Sequence, residues 1–139
     1  MKINLCRTDK EYQACFPIFK DLHDGLTKED YLNTLSELLT QDYQVVYAID
    51  KDEVKSVAGF RIGKSFAWGK YLYIDDMVTA KHTRSSGYGK QIFLWLQEYA
   101  ISENCDSIHL DSQVTRHDAH KFYINLGLIQ GGYHFHMFV

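Results

Sequence analysis

Proline and cysteine are both scarce in this sequence. Its 139 residues include one proline, Pro17, and three cysteines, Cys6, Cys15 and Cys105. An odd number of cysteines without a CxxC pair argues against a disulfide framework and against a zinc site built from thiolates. We therefore expect three reduced thiols, mostly buried. The sequence also has no repeats, no low-complexity tract and no Gly/Ser linker, so nothing in it marks a boundary between domains.

Dense basic runs and long apolar stretches are missing as well. The chain has 15 Lys and Arg against 18 Asp and Glu, a formal net charge of -3, so the electrostatic signature of a nucleic-acid-binding protein is absent. No apolar run approaches the roughly 18 residues of a membrane helix, and the first residues lack the apolar core of a signal peptide. We expect a cytoplasmic protein that binds neither nucleic acid nor membranes.

The length and the apolar content favour one packed domain. Apolar residues make up 45% of the chain and charged residues 24%, which is ordinary for a globular protein and far from disorder. Since domains average roughly 150 residues, residues 1–139 are expected to form a single domain with one core.

Apolar residues at helical spacing predict two helices early in the chain. The first contains Tyr12 and Phe19 on its apolar face, and we expect Pro17 to kink or divide it and Gly25 to end it. Thr27 is expected to cap the second helix, which runs to about residue 41.

The rest of the chain predicts strands and two further helices. One helix follows the glycines at positions 87 and 89, and another covers about residues 117–126, with Gly127 as a left-handed C-cap. Runs rich in β-branched and aromatic residues predict strands at residues 2–6, 43–49, 54–62, 71–78, 107–110 and 132–139. The order β-α-α-β-β-β-α-β-α-β predicts an α/β (α+β) domain whose middle strands form an antiparallel meander.

A loop with two glycines connects the fourth predicted strand to the third helix. Gly87 and Gly89 allow a tight turn and the close approach of a ligand, and the free N–H groups at the start of the helix suit a phosphate. Lys81, Arg84 and Lys90 would add positive charge around that phosphate. The loop matches neither the Walker A pattern nor the GxGxxG dinucleotide fingerprint, so we exclude those two functions.

Two segments resemble motifs of one family. The residues RSSGYG at 84–89 are similar to the R/Q-x-x-G-x-G/A acetyl-CoA loop of the GCN5-related N-acetyltransferase (GNAT) family. The residues AHKFYINLGL at 119–128 are similar to that family's A-x-x-F-Y-x-x-x-G-F segment on its last helix. The two motifs stand in the family's order, and with the predicted elements the resemblance covers nearly the whole chain.

The resemblance implies an acyl-CoA N-acyltransferase fold, with a mixed, mostly antiparallel sheet flanked by helices. It also implies transfer of an acetyl group from acetyl-CoA to an amine by direct attack in a ternary complex, without a metal. The residues expected to hold the co-substrate are Met77, Val78, Thr79, Arg84, Ser85, Ser86, Gly87, Tyr88, Gly89 and Lys90.

The amine must lose a proton before it can attack, so a base is expected near the thioester. Asp75 and Asp76 are the candidates, because they resemble the Glu-Asp pair of polyamine N-acetyltransferases on this strand. Adjacent strand residues point to opposite faces, so only one should reach the acceptor unless a β-bulge, which the resemblance implies here, rotates the pair. The alternative is that the two carboxylates only end a strand at the surface.

Tyr123 matches the family tyrosine that stabilises or protonates the leaving thiolate, although a tyrosine on an amphipathic helix is also a common core residue. Arg116 stands where the family commonly has an asparagine, which puts that cofactor contact in doubt. The candidate acceptor contacts are Asp111, Ser112 and His120. His120 and its neighbour His117 lack the further ligand spacing of a metal site.

Three interpretations of the function stay open. The first is an N-acetyltransferase acting on a small-molecule or peptide amine. The second is a catalytically silent acyl-CoA-binding or sensory module of the same fold. The third is an interaction module that uses the aromatic residues 133–139, and a homodimer formed through that end is compatible with the enzyme as well.

Overall fold

The computed structural model describes residues 1–84 and 86–139. The chain divides into two compact units, residues 1–109 and residues 110–139, which are described separately here. The prediction of a single domain over residues 1–139 stays a prediction. None of the helices in the described part of the chain is long and apolar enough to cross a membrane.

The secondary structure follows the predicted order up to the last helix. The strands are β1 (Lys2–Leu5), β2 (Gln44–Asp50), β3 (Glu53–Ser65), β4 (Gly69–Thr79) and β5 (Ser107–Leu110). The α-helices are α1 (Asp9–Leu22), α2 (Lys28–Leu39), α3 (Tyr88–Ser102) and α4 (His117–Asn125), and a single 3-10 turn covers Lys81–Thr83.

One five-stranded sheet, in the order β1-β2-β3-β4-β5, forms the centre of the first unit. The first four strands pair antiparallel, with Lys2 opposite Ile49, Val46 opposite Ala58 and Arg61 opposite Tyr73. This confirms the mixed, mostly antiparallel sheet flanked by helices and its meander. Phe60 on β3 packs edge-on against Tyr99 of α3 at 5.5 Å between ring centroids, so α3 covers one face of the sheet.

The first helix corrects one prediction. It runs without interruption through Pro17, so the proline does not divide it, and the alternative of a kink stays a prediction. A proline removes only one helical N–H donor, and α1 is held on both sides of it by the buried Cys15, Ile18 and Phe19. A capping box between Thr8 and Glu11 begins the helix, and His23 rather than Gly25 is its C-cap.

The cysteines behave as predicted. All three are free, and Cys6 and Cys15 are buried, with their sulfur atoms 3.7 Å apart.

The predicted final strand, residues 132–139, is wrong. The segment has no regular secondary structure, and its large side chains are exposed, Phe135 by 89% and Phe138 by 92%. A strand requires a neighbour that takes up its backbone N–H and C=O groups, and none of the described residues pairs with this segment. The prediction rests on the richness of this segment in aromatic residues, and composition alone supplies no partner strand.

The end of α4 confirms the predicted cap at Gly127. Gly127 has φ 98°, the N–H of Leu128 donates to the carbonyl of Tyr123, and the N–H of Gly127 donates to that of Ile124. These two bonds form a Schellman motif, which satisfies the last carbonyls of the helix. The backbone at Tyr123 is therefore fixed by the cap.

Replacing Gly127 should weaken this cap. Gly127→Ala adds a Cβ that meets no atom within 4 Å, so its effect comes only from the left-handed backbone, which costs an L-residue about 1 to 2 kcal/mol. We expect the free energy of unfolding in urea to fall by that amount. Gly132→Ala, where space is also open and φ is ordinary, is the control. Equal stability of the two variants would contradict the assignment of the cap.

Candidate active site

A β-bulge lies at the two neighbouring carboxylates of β4. The pairing of β3 with β4 passes from Gly59 opposite Asp76 to Phe60 opposite Ile74, so Asp75 has no partner position on β3. An extra residue of this kind rotates the strand locally and redirects side chains. The bulge expected from the resemblance is therefore present. Because of it, the rule that adjacent strand residues point to opposite faces does not decide which of the two aspartates reaches the acceptor.

Asp75 is held in an ion pair. The Arg61 guanidinium donates from Nε to Oδ2 at 2.9 Å and from Nη2 to Oδ1 at 2.7 Å. This bidentate geometry is the strong form of the arginine–carboxylate pair. Arg61 thus neutralises Asp75 and occupies both of its oxygens.

Asp76 has different partners. The Tyr43 hydroxyl donates to Oδ2 at 2.9 Å, and Nε2 of His23 lies 3.0 Å from Oδ1. Burial first, and then the charge of Asp76, raises the pKa of Tyr43 far above its ordinary value. Tyr43 therefore keeps its proton at neutral pH and acts as a donor to the carboxylate.

Gly59 makes the bond between Tyr43 and Asp76 geometrically feasible. A Cβ added at Gly59 would lie 1.6 Å from the Tyr43 hydroxyl oxygen, so the tyrosine passes directly over the backbone of β3. Because Asp76 is the cross-strand partner of Gly59, this close approach delivers the hydroxyl to the carboxylate. The bond depends on the missing side chain.

A cavity of about 350 Å³ lies farther along the same face of β3 and β4. Gly59, Arg61 and Gly63 share this face because side chains alternate along a strand. The cavity is lined by Gln41, Arg61, Ile62, Gly63, Trp68, Tyr71 and Tyr73. The cavity is lined by aromatic side chains and by the charged Arg61. Arg61 lies two residues along β3 from Gly59, which is the residue opposite Asp76.

The glycine loop has the backbone of an anion site. Gly87 is the N-cap of α3 with φ 85°, provides no side-chain cap, and is followed by a first helical turn without acidic residues. The Tyr88 hydroxyl donates to Asp50 at 2.8 Å, which turns this side chain toward β2, away from the start of the helix. The first turn of α3 thus presents N–H groups that no side-chain cap takes up. The first turn of α3 contains Gly89 and Lys90, and Ser86 precedes the N-cap. Ser85 lies outside the described residues.

Arg84 contacts the strand that precedes the loop. Its Nε donates to the carbonyl of Thr79 at 3.3 Å. Positive charge thus lies where β4 ends.

The second half of β4 extends beyond β5. The N–H of Asp106 donates to the carbonyl of Lys70, so β5 begins beside the start of β4. With only four residues β5 is too short to reach Met77, Val78 and Thr79. This edge of β4 is the one that the resemblance assigns to the pantetheine arm.

The second unit contains Tyr123 and the three candidate acceptor contacts. Burial raises the pKa of Tyr123, with a smaller opposing effect from Arg116, so its hydroxyl is protonated at neutral pH. His120 donates from Nε2 to the carbonyl of Gln113 at 2.8 Å, and Asp111 lies 3.7 Å from Nδ1 of His134. The Ser112 hydroxyl oxygen is buried and has no hydrogen-bond partner among the described residues.

Asp75 and Asp76 thus lie next to each other in the first unit, and the second unit contains Tyr123, Asp111, Ser112 and His120. No group of three His, Cys, Asp or Glu side chains in the described part of the chain could hold a metal ion. The model of the acetyltransferase (GNAT) family matches residues 7–128.

The chain belongs to the acetyltransferase (GNAT) family.

The chain is similar to one curated protein and to several solved structures. The uncharacterized N-acetyltransferase YhdJ of Bacillus subtilis (strain 168) is 29% identical over 115 residues, which is 82% of this chain and 81% of YhdJ. The aminoglycoside acetyltransferase AAC(6')-Iy, solved with a bisubstrate analogue, superimposes with a TM-score of 0.83 at 14% identity, over 100% of this chain and 99% of its own. An integron cassette protein of V. cholerae gives 0.82 at 24% identity, over 100% and 94%. The two structural matches show the GNAT fold.

Three side chains of the site were not predicted. His23 follows the first helix and Tyr43 immediately precedes β2, where each matches an ordinary helix end or core position. Arg61 lies inside a strand. These three side chains reach Asp75 and Asp76 only because the chain folds back after α1 and between the strands of the meander. No local sequence pattern therefore predicts their contacts.

Substitution at Gly59 tests how Tyr43 reaches Asp76. Gly59→Ala should displace Tyr43, break its bond to Asp76 and lower the free energy of unfolding by about 1 to 3 kcal/mol, the usual cost of overpacking. Chemical denaturation and a crystal structure of the variant measure both effects. Gly63→Ala is the control, because its Cβ would meet the partly exposed Tyr71 at 2.7 Å. A larger loss of stability for Gly63→Ala would contradict this account.

Proposed function

We propose that the protein transfers the acetyl group of acetyl-CoA to a primary amine of a small molecule or a peptide, by direct attack in a ternary complex. Membership of the GNAT family and the N-acetyltransferase relative support an acyltransferase. The observation that carries the proposal is the carboxylate of Asp76, partly exposed and held in position by two side chains. It is a negative charge at which a protonated amine can bind before it loses a proton.

The two aspartates differ in what they offer the amine. Asp75 is neutralised by Arg61, whereas the side chains around Asp76 are a tyrosine hydroxyl and a histidine ring. We therefore assign the acceptor position to Asp76 and give Asp75 the role of fixing Arg61 at the mouth of the cavity. A small-molecule acceptor would fit the 350 Å³ of that cavity, and AAC(6')-Iy, a structural relative, is named for acting on aminoglycosides.

For the co-substrate we propose two contacts. The uncovered edge of β4 at Met77, Val78 and Thr79 would pair with the amide groups of pantetheine as an added strand does. The first turn of α3 and the loop from Arg84 to Lys90 would hold the pyrophosphate. Since acetyl-CoA is an intracellular metabolite, this reaction fits the cytoplasmic location expected from the sequence.

The thiolate of coenzyme A must be stabilised as it leaves. We assign this role to Tyr123, whose raised pKa keeps a proton on the hydroxyl at neutral pH. The reaction then needs no metal ion.

Release of free coenzyme A thiol tests the function directly. Acetyl-CoA is incubated with a panel of polyamines, amino acids, aminoglycosides and peptides, and we expect release that depends on at least one amine. Tight binding of acetyl-CoA without turnover of any amine would instead identify a silent acyl-CoA-binding module.

Gly87→Trp should block co-substrate binding. The space around Gly87 is open within 4 Å, so the indole would enter the volume assigned to the pyrophosphate. Calorimetric titration with coenzyme A should show at least a tenfold higher Kd. Gly25→Trp is the matched control, because Gly25 has φ 82° and equally open surroundings. A wild-type affinity in Gly87→Trp would remove the phosphate-loop assignment.

Tyr123→Phe should lower kcat with little change in the affinity for acetyl-CoA. Only the hydroxyl interaction that develops with the sulfur is lost, and proton donors of this kind contribute about 10²-fold or more. Tyr133→Phe, an exposed tyrosine of the same unit, should keep the wild-type kcat. An unchanged rate in Tyr123→Phe would return this tyrosine to a structural role.

A further inference from the structure

We propose that His23 takes the proton from the acceptor amine, and that Asp76 and Tyr43 position its ring for that step. The inference rests on the proposed function and concerns the same site. His23 lies outside the two segments that resemble family motifs. Its contact with Asp76 is what identifies it as the candidate base.

Asp76 is poorly arranged to take the proton itself. Each of its oxygens already has a protein partner, Nε2 of His23 at 3.0 Å and the Tyr43 hydroxyl at 2.9 Å. Its side chain is 19% exposed, whereas that of His23 is 54% exposed. A substrate arriving from solvent therefore meets the histidine more readily than the carboxylate.

The contact defines which nitrogen of His23 can accept a proton. An ionised carboxylate only accepts hydrogen bonds, so Nε2 of the neutral ring carries its hydrogen and donates it to Asp76. The other nitrogen, Nδ1, then has the free lone pair. A carboxylate that selects the histidine tautomer and stabilises the imidazolium is the arrangement that makes histidine an effective base in Ser-His-Asp triads.

Tyr43 fixes the far side of the carboxylate. It is 4% exposed and crosses β3 at Gly59, so its hydroxyl has little freedom to move. The Asp76 carboxylate is thus anchored from the core side and presents its other oxygen to His23. The histidine itself is the C-cap of α1, whose helical backbone holds it in place.

The carboxylate adjacent to Asp76 in the strand is compensated. Asp75 is neutralised by Arg61 through two hydrogen bonds of 2.7 and 2.9 Å. Of the two neighbouring aspartates, Asp76 is therefore the one that attracts a protonated amine. This places the amine nitrogen beside the imidazole.

The proton balance of the reaction is complete with these groups. The ammonium gives one proton to Nδ1 of His23, and its lone pair then forms a bond to the thioester carbonyl carbon. The carbon–sulfur bond breaks and the sulfur leaves with the electron pair. The nitrogen loses a second proton as the amide forms, and the thiolate takes up one proton to give the coenzyme A thiol. The imidazolium of His23 then releases its proton to solvent. One proton is released in each turnover.

Variants of His23 test the proposal with an amine that the wild type acetylates. His23→Gln should lower kcat about 10²-fold, the lower end of the usual contribution of a general base, and leave the Kd for acetyl-CoA unchanged. His23→Ala should lose activity similarly and regain part of it when free imidazole is added, because the position is open to solvent. His82→Gln is the matched control, since His82 is 68% exposed and lies 3.8 Å from the carboxylate of Glu53; it should keep the wild-type kcat.

The positioning role of Asp76 has a readout that does not need turnover. Two-bond ¹H–¹⁵N NMR of the imidazole should show the tautomer protonated at Nε2 in the wild type. In Asp76→Asn the neutral amide no longer selects that tautomer, so the signal should shift toward the form protonated at Nδ1. His23 would then lack its free nitrogen, and kcat should fall as it does in His23→Gln.

The outcomes separate the two proposals. Turnover by the wild type with an unchanged kcat in His23→Gln overturns the role of His23 and leaves the acetyltransferase in place. A wild-type tautomer in Asp76→Asn overturns the positioning role. Absence of turnover by the wild type with every amine overturns both proposals, because no proton then has to be taken.

Discussion

The bond between Tyr43 and Asp76 is the constraint on which the site depends. It joins the residue that precedes β2 to β4 across β3, and it exists because Gly59 has no side chain to block the ring. Asp76 in turn receives His23 from the end of α1. A single carboxylate therefore connects the sheet to the helix that covers this face. Movement of any of these elements would change the group proposed to meet the amine.

The bulge at Asp75 lets two adjacent carboxylates bind different partners. Without it, the side chains of Asp75 and Asp76 would point to opposite faces of the sheet. With it, Asp75 is bound by Arg61 and Asp76 by Tyr43 and His23. The ion pair removes one negative charge from the site and leaves one. The proposed acceptor site of this chain is therefore formed by a few side chains outside the motifs that the fold shares with other acetyltransferases.

Local sequence patterns predicted most of the fold, for identifiable reasons. The helices depend on apolar spacing and on caps such as Thr27 and Gly127, and these signals lie within a few residues of what they predict. Pro17 does not divide α1 because tertiary packing holds the helix together, and that packing is not visible in the local sequence. The prediction of the last strand is wrong because pairing depends on a neighbouring strand that local composition does not reveal.

The sequence names candidate site residues only where a motif contains them. The glycine loop, the Asp75 and Asp76 pair and Tyr123 each lie in a short recognisable segment, whereas His23, Tyr43 and Arg61 reach the carboxylates from positions distant in the chain. His23 lies 53 residues from Asp76. Contacts at that separation follow from the packed fold and not from local pattern.

The central claim is that the acceptor amine binds at Asp76. Carbon-13 NMR of the aspartate carboxyl groups, with the Asp76 signal assigned by its loss in Asp76→Asn, measures this in a dead-end complex of the protein with coenzyme A and an amine that it acetylates. The account predicts that adding the amine shifts the Asp76 signal and leaves unchanged that of the exposed Asp52, in the turn between β2 and β3. An unchanged Asp76 signal in the saturated complex would contradict it.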